Sequence, residues 1–326
     1  MRQVVLNAPG ELVERQVDRP VPRPGEVLVR IQRVGVCGSD FHAFAGSHPI
    51  YTYPRVLGHE LAGEIVEVPR NGTELKVGDK CAIDPYINCG KCAACLSGRT
   101  NCCEQLRLYG VHVDGGMQGL LPVRADLLHK SKTLSFDQLA LIETLGIGAH
   151  AVNRSKLRNG ESALVIGTGP IGLAVIQFAK IEGADVHFVE LSPWRREFAE
   201  HTCARPLVNQ NQLFDVVFDA TGSAASMAAS LNRVAPTGRL VYVGLTKEPV
   251  VIDDATFHRR EVTIYASRNS CAQFPRIIEM IEKGQIDIKP WITDRMALAE
   301  VPSRLKELPG KSTLIKALVE LGESDV

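Results

Sequence analysis

From Glu26 the chain reads Glu-Val-Leu-Val-Arg-Ile-Gln-Arg-Val, with apolar and polar positions alternating as they do along a half-buried strand. Leu61-Ala-Gly-Glu-Ile-Val-Glu-Val repeats the pattern, and Val77-Gly-Asp-Lys-Cys-Ala-Ile follows a turn signal. Short strands punctuated by glycine and proline predict a partly closed antiparallel barrel over the first third of the chain. Near residue 148 the rhythm changes. Apolar strands now alternate with helical patterns: Ala163-Leu-Val-Ile, a helix from Ile171 to Glu182, then Asp185-Val-His-Phe-Val-Glu. Phe214-Asp-Val-Val-Phe-Asp, Arg239-Leu-Val-Tyr-Val and Val262-Thr-Ile-Tyr-Ala continue the series. That alternation predicts a doubly wound parallel sheet, the Rossmann form of the α/β class. A helix from Phe274 to Lys283 and a mixed tail follow, and the tail is expected to return to the first domain. The expected division is therefore 1–148 with 269–326, and 149–268.

Length and charge narrow the function classes. The 326 residues suffice for two domains of ordinary size. Lys+Arg and Asp+Glu stand at 37 each, so no basic field points to nucleic acid. The N-terminus lacks the apolar run of a signal peptide, and no stretch approaches a membrane span, so a cytoplasmic protein is expected. In that setting nine cysteines point to metal ligands ahead of disulfides.

Four of those cysteines crowd together. Cys89, Cys92, Cys95 and Cys103 have the spacing that wraps a tetrahedral metal, because CxxC turns bring thiolates to a shared zinc. Cys37-Gly-Ser-Asp-Phe-His42 ends one strand, and Gly58-His59-Glu60 opens the segment before another. Thiolate, imidazole and carboxylate suit an open zinc position. Taken alone, they fit buried core positions equally well. Glu143, in Leu141-Ile-Glu-Thr-Leu-Gly, supplies a further carboxylate.

Gly167-x-Gly169-Pro170-Ile171-Gly172 follows a buried strand and opens a helix, and Glu190 ends the next strand. Glycines there allow a tight turn and close pyrophosphate approach, and the helix N-terminus favours the phosphate charge. Glu190 is placed to accept from the adenosine ribose and to repel a 2′-phosphate, favouring NAD over NADP. Arg195 and Arg196 are either solvated helix residues or neighbours of such a phosphate. Asp219-Ala-Thr221-Gly222 and Val243-Gly-Leu close later strands, where each either lines a cofactor or is only a turn.

Together these residues resemble the zinc-dependent medium-chain dehydrogenase/reductase superfamily over nearly the whole chain. Gly35-Val-Cys-Gly-Ser-Asp, Tyr53-Pro-Arg-Val-Leu-Gly-His-Glu, the cysteine lobe, Gly110-Val-His-Val-Asp-Gly-Gly and Ser267-Arg268-Asn269 resemble its sorbitol dehydrogenase-like branch, including enzymes of the L-galactonate 5-dehydrogenase type. The resemblance implies a GroES-like, partly open barrel carrying the catalytic zinc, and a Rossmann domain binding NAD. It implies two zincs per chain: a structural one in the lobe, and a catalytic one on Cys37, His59 and either Glu60 or Glu143. Ser39 would take the substrate proton and pass it through the ribose to His42, Asp40 would hold the other nitrogen of His59, and Arg268 would lie near cofactor or substrate. The implied reaction is hydride transfer between NAD and a secondary alcohol of a polyol, sugar or sugar acid, in a homodimer or homotetramer. An L-threonine 3-dehydrogenase-like enzyme and a catalytically idle NAD-binding protein are the alternatives. Two departures stand out. Between Leu207 and Phe214 the chain is too short for the usual nucleotide-domain helix, and Met117-Gln-Gly-Leu-Leu replaces a polar-aromatic segment.

Overall fold

Two compact units divide the chain: Met1–Glu143 with Phe274–Val326, and Thr144–Gln273. The computed structural model describes residues 1–69, 74–201 and 204–326. No helix among them is long and apolar enough to cross a membrane.

The first unit is organised by one long strand, Glu26–Val36. It pairs antiparallel with Glu60–Glu67, Leu120–Arg124 and Lys316–Glu320 at different points along its length. Register shifts at Leu28/Val29 and Ile31/Arg33 mark irregularities, which bend a strand and increase its twist. One strand can thereby serve two edges of the barrel. Lys80–Ile83 and Leu128–Lys130 extend the sheet on one side, and Ile292–Ala297 on the other. The alternation read from the sequence is visible in the burial. Val27, Val29, Ile31 and Val34 are fully or almost fully buried, and Arg30 and Arg33 are not. Val29, Ile31, Ile65, Val123 and Val319 meet in one core, where each apolar side chain contributes about 1.5–3 kcal/mol by leaving water. The strand ends where the chemistry begins. At Cys37 the chain turns into the short helix Gly38–Phe44.

The second unit carries a six-stranded sheet with every pairing parallel. Across the sheet the order is Arg205–Pro206, Asp185–Val189, Ser162–Ile166, Phe214–Asp219, Val234–Tyr242 and Thr263–Ala266. By chain order this is 3-2-1-4-5-6, whose reversal lies between the first and fourth strands and opens a crevice at their carboxyl ends. Phe178, Phe188, Phe214 and Phe218 are fully buried around this sheet. The third strand survives as only two residues, and residues 207–213 run to the fourth strand without a helix. The shortened connection thus removes the helix and keeps the strand.

Candidate active site and metal centres

The paired strands Glu26–Val36 and Glu60–Glu67 place Gly35 directly opposite Glu60. A Cβ on Gly35 would stand 2.0 Å from Glu60 Oε2. Glycine here makes room for a carboxylate inside the barrel wall. Gly58, with φ +96°, turns the chain just before His59, which leads directly into the strand Glu60–Glu67. One ligand atom from each of Cys37, His59 and Glu60 lies within 4.8 Å of the others. His59 is 6% exposed and Glu60 1%.

Neighbouring side chains fix this trio. Asp40, fully buried, accepts the Cys37 backbone N–H through Oδ2 at 2.9 Å. Its Oδ1 faces His59 Nδ1 at 4.0 Å, and neither atom has a hydrogen-bond partner. Lys316, 2% exposed, donates from Nζ to Glu60 Oε1 at 2.6 Å and to the Val36 carbonyl at 3.3 Å. Glu60 Oε2 is left without a partner. Glu143 lies outside the trio, and its Oε1 accepts the Tyr86 hydroxyl. Lys316 and Tyr86 were not legible as site residues in the sequence.

The charge balance of this interior is lopsided. Cys37, Asp40, Glu60 and Glu143 are potential anions, and Lys316 is the one fixed cation among these groups. Burial pushes the Asp40 and Glu143 carboxyls up, with the Glu60 charge adding to both. Burial alone would depress His59, but Cys37, Asp40 and Glu143 hold it well above the usual imidazole range. Uncompensated buried charge is costly, and a soft-to-borderline dication relieves it while matching a thiolate, imidazole and carboxylate donor set. The residues fit zinc.

The lobe is built differently. Its four Sγ atoms also come within 4.8 Å of one another, and all four thiols are free. Gly90 and Gly98, with φ +70° and +75°, let the loop reverse tightly enough to gather them. Backbone groups do the rest. Cys103 Sγ accepts the N–H groups of Cys89 and Gln105, each at 3.3 Å. The N–H groups of Lys91 and Cys92 pull the Cys89 thiol down to about 6, and those of Glu104 and Cys95 lower Cys92. Desolvation pushes Cys95 up to about 12. At the base of the lobe, Tyr86–Ile87 pairs with Arg107–Leu108. The same short strand thus anchors the lobe and presents Tyr86 to Glu143.

Comparison with known proteins shows the family to which this fold belongs. The family signature of the alcohol dehydrogenase GroES-like domain matches residues 23–133, and that of the zinc-binding dehydrogenases matches 170–283. The chain is 36% identical over 335 residues to L-galactonate-5-dehydrogenase of Escherichia coli (strain K12), covering 98% of each. The chain belongs to the zinc-type medium-chain alcohol dehydrogenase family. Sorbitol dehydrogenase of Bacillus subtilis (strain 168) is 30% identical over 98% of this chain and 97% of its own. Among solved structures, a putative zinc-binding dehydrogenase from Sinorhizobium meliloti 1021 bound to NADP superposes with a TM-score of 0.92. It is 29% identical, with 98% of this chain and 99% of that one covered. The polyol-dehydrogenase resemblance read from the motifs therefore stands, and this dehydrogenase has the barrel-plus-Rossmann fold it implied.

In this dehydrogenase the glycine loop sits at the sheet's switch point. Gly167 has φ +86°, and a Cβ on it would meet Thr221 at 3.0 Å, so the first and fourth strands end side by side. A Cβ on Gly172 would stand 1.9 Å from the Gly167 carbonyl, which explains the third glycine as a packing requirement. Gly169 caps the helix Pro170–Ile181 without any side-chain hydrogen bond, leaving its first N–H groups to an anion. Asp219, fully buried, accepts the Thr221 N–H and hydroxyl and the Ser226 hydroxyl, and its carbonyl accepts the Val243 N–H. Thr221 and Val243 are thereby brought to one place. Glu190 is more engaged than its sequence position suggested. Oε2 accepts the Thr168 N–H and hydroxyl, and Oε1 accepts the N–H groups of Leu191 and Ser192. Burial would raise this carboxyl, but these donors hold it below the usual range. An Arg195 nitrogen lies 4.0 Å from where a Cβ on Gly169 would be, and Arg196 pairs with Glu200 at 3.7 Å.

Ser39 and His42 lie one turn apart on the helix Gly38–Phe44. Ser39 is half-buried beside the trio's Cys37, and His42 Nδ1 is 3.3 Å from Ser47 Oγ. Arg268 follows the last strand of the parallel sheet, with Asn269 at φ +52° directly after it.

Proposed function

We propose that this enzyme oxidises a secondary alcohol of a polyol, sugar or sugar acid, using NAD and a catalytic zinc held by Cys37, His59 and Glu60. The observation carrying this reading is the clustered trio, with His59 and Glu60 buried, its surplus of acidic groups and its unpartnered Glu60 Oε2. The clustering favours Glu60 over Glu143 as third ligand, since Tyr86 already holds Glu143. A zinc there would supply the Lewis acidity that lowers the pKa of a bound alcohol, and the dinucleotide would accept the hydride. Ser39 receives the proton released from the substrate hydroxyl, and His42 hands it on to solvent. Asp40 faces the His59 ring with its charge, Oδ1 standing 4.0 Å from Nδ1, and would favour the orientation that leaves the other nitrogen to the metal. Lys316 keeps Glu60 from swinging away by holding Oε1.

The lobe's four thiols would hold a second zinc, closed to substrate. We assign catalysis to the segments 1–148 and 269–326 and dinucleotide binding to 149–268, where Gly167, Gly169, Pro170, Ile171, Gly172, Glu190, Thr221, Val243 and Arg268 would contact the cofactor. Glu190 supports NAD. Arg195 beside Gly169 and the NADP-bound neighbour from S. meliloti pull the other way. The edge strand Thr263–Ala266 supports pairing of two chains as a dimer or tetramer. Reduced thiols available to metal suit a cytoplasmic setting. The polyol and sugar-acid substrates rest on the relatives from E. coli and B. subtilis.

A catalytically idle nucleotide-binding protein is the second reading. The missing helix after Arg205–Pro206 and the four donors already on Glu190 favour it. An absorbance screen for NADH and NADPH formation across polyols, aldonates and L-threonine decides the matter. Turnover of a polyol or aldonate with NAD is expected. Turnover confined to L-threonine moves the substrate, and none with either cofactor leaves the idle reading.

A further inference from the structure

The connection that lacks a helix in the second unit does more than shorten the chain. Its residues Gln210, Asn211 and Leu213 line one side of a cavity of about 500 Å³. Asn232 and Arg233, just before the strand Val234–Tyr242, and Arg260, shortly before Thr263–Ala266, complete the polar lining. Leu213 directly precedes Phe214–Asp219. All of these residues therefore stand at the amino-terminal edge of the parallel sheet. The glycine loop follows Ser162–Ile166 at the opposite, carboxyl edge, where the dinucleotide crevice opens. The cavity is not part of that crevice.

Its lining carries two cations and no acid. Arg233 donates from Nη1 to the Gln210 carbonyl and from Nη2 to Gln210 Oε1. Arg260 donates from Nη1 to the carbonyls of Asn232 and Val234, at 3.1 and 2.8 Å. Both side chains are half-buried, and among the described residues neither pairs with a carboxylate. Other arginines of this unit do: Arg239 meets Glu161 at 2.6 Å, and Arg205 meets Asp185 at 3.3 Å. A guanidinium has five N–H groups, so the neutral oxygens hold each fork in place, leave N–H groups over and do not compensate its charge. Two such forks on one cavity suit an oxyanion, which arginine binds bidentately. The amides of Gln210, Asn211 and Asn232 add donors and acceptors for hydroxyl groups.

The backbone behind Arg260 is fixed as well. Its carbonyl accepts the Thr237 N–H at 2.7 Å. Thr237 has φ +62°, in the left-handed region that a β-branched residue rarely enters. Strain of this kind persists where the surroundings over-determine it, and it clusters at binding sites.

We propose that this cavity binds a small hydroxylated oxyanion, a sugar phosphate or a sugar acid, at a site separate from the catalytic and dinucleotide sites. Its volume lies within the range of about 300–1,000 Å³ usual for small-molecule pockets. The inference does not depend on which alcohol the enzyme oxidises.

Calorimetric titration of the zinc-loaded protein, with NADH in excess to fill the crevice, tests this with glucose 6-phosphate, gluconate and neutral glucose. At least one of the two anions should bind and glucose should not; the tighter anion assigns phosphate or carboxylate to the site. Hydrogen exchange should slow at residues 207–214 and 229–234 when that anion is added. Arg260→Gln removes one fork, and Asn211→Asp sets a negative charge in an exposed part of the lining without touching the arginine bonds. Each should weaken the anion by about 10-fold or more, and Asn211→Asp should melt near the wild type. Failure of both anions to bind would overturn the proposal, as would binding undiminished in Asn211→Asp. Protection that appears at the glycine loop in place of residues 207–214 would also overturn it.

Discussion

The two clusters of soft ligands in the first unit solve opposite problems. In the lobe, four like ligands come from residues 89–103, and backbone N–H groups favour the thiolate at Cys89 and Cys92. In the trio, three unlike candidate ligands come from two strand ends, and His59 and Glu60 are buried near further acids while Cys37 is half-buried. The lobe uses every thiolate it gathers. The trio leaves a carboxylate oxygen of Glu60 without a partner. A closed set holds shape, and an open one has a position left for substrate. The difference lies less in the ligands than in their surroundings: turns and amides around the lobe, and Asp40, Lys316 and Tyr86 around the trio.

The comparison breaks most visibly at His59. His59→Ala removes an imidazole that nothing nearby replaces, and turnover should fall by roughly 10⁴-fold, as expected for loss of a metal's several kcal/mol of charge stabilisation. NAD affinity, measured by fluorescence titration, should hold because the glycine loop is in the other unit. Ser39→Ala should keep its zinc by elemental analysis and lose ~10²–10⁴-fold in kcat through the broken proton transfer. Full activity in Ser39→Ala would remove the serine from the mechanism.

Lys316→Met sharpens the comparison through stability. It strands the Glu60 carboxylate in the interior, which costs about 3–5 kcal/mol when one partner of a buried pair is lost. Metal-free protein should show that cost in urea unfolding, and zinc-loaded protein should show much less of it. Equal destabilisation with and without zinc would mean that Glu60 does not reach the metal.

The smallest effect concerns the lobe and pH. Cys89 is depressed to about 6, so above that pH it is already a thiolate and zinc binding releases no proton from it. Below it, zinc must displace that proton. The favourable contribution is therefore present at neutral pH and is lost as pH falls through about 6. Competitive zinc titration of His59→Ala, where only the lobe remains, should show the affinity falling by about a further tenfold per pH unit below that point. A constant slope from pH 7.5 to about 5 would contradict the amide stabilisation.

How much of this was legible in the sequence follows from distance along the chain. The lobe was readable because turns alone bring its thiols together. Cys37 and His59-Glu60 were readable as candidates, but not the choice between Glu60 and Glu143, which depends on Gly35 standing opposite Glu60 across a strand pair. Lys316 is 256 positions from Glu60 and enters the site only through the register of Ala317 with Val36. No spacing rule reaches that far. In the second unit, alternation found the long strands, whereas Arg205–Pro206 is too short to carry a period and is held by pairing with His187 and Phe188. The lost helix was visible as a short count of residues, and the retained strand was not. Glu190 was placed correctly at its strand end, but its four donors belong to loop conformation and left no trace in the sequence.

The central claim is that the two metal centres divide shape from chemistry. Cys37→Ala and Cys92→Ala, purified side by side, test it by zinc content, melting temperature and turnover per folded molecule. The first should keep the lobe zinc, melt near the wild type and lose nearly all turnover. The second should lose the lobe zinc, melt lower and retain turnover in whatever fraction stays folded. A Cys37→Ala protein that turns over normally, beside a fully folded but inactive Cys92→Ala, would reverse the assignment.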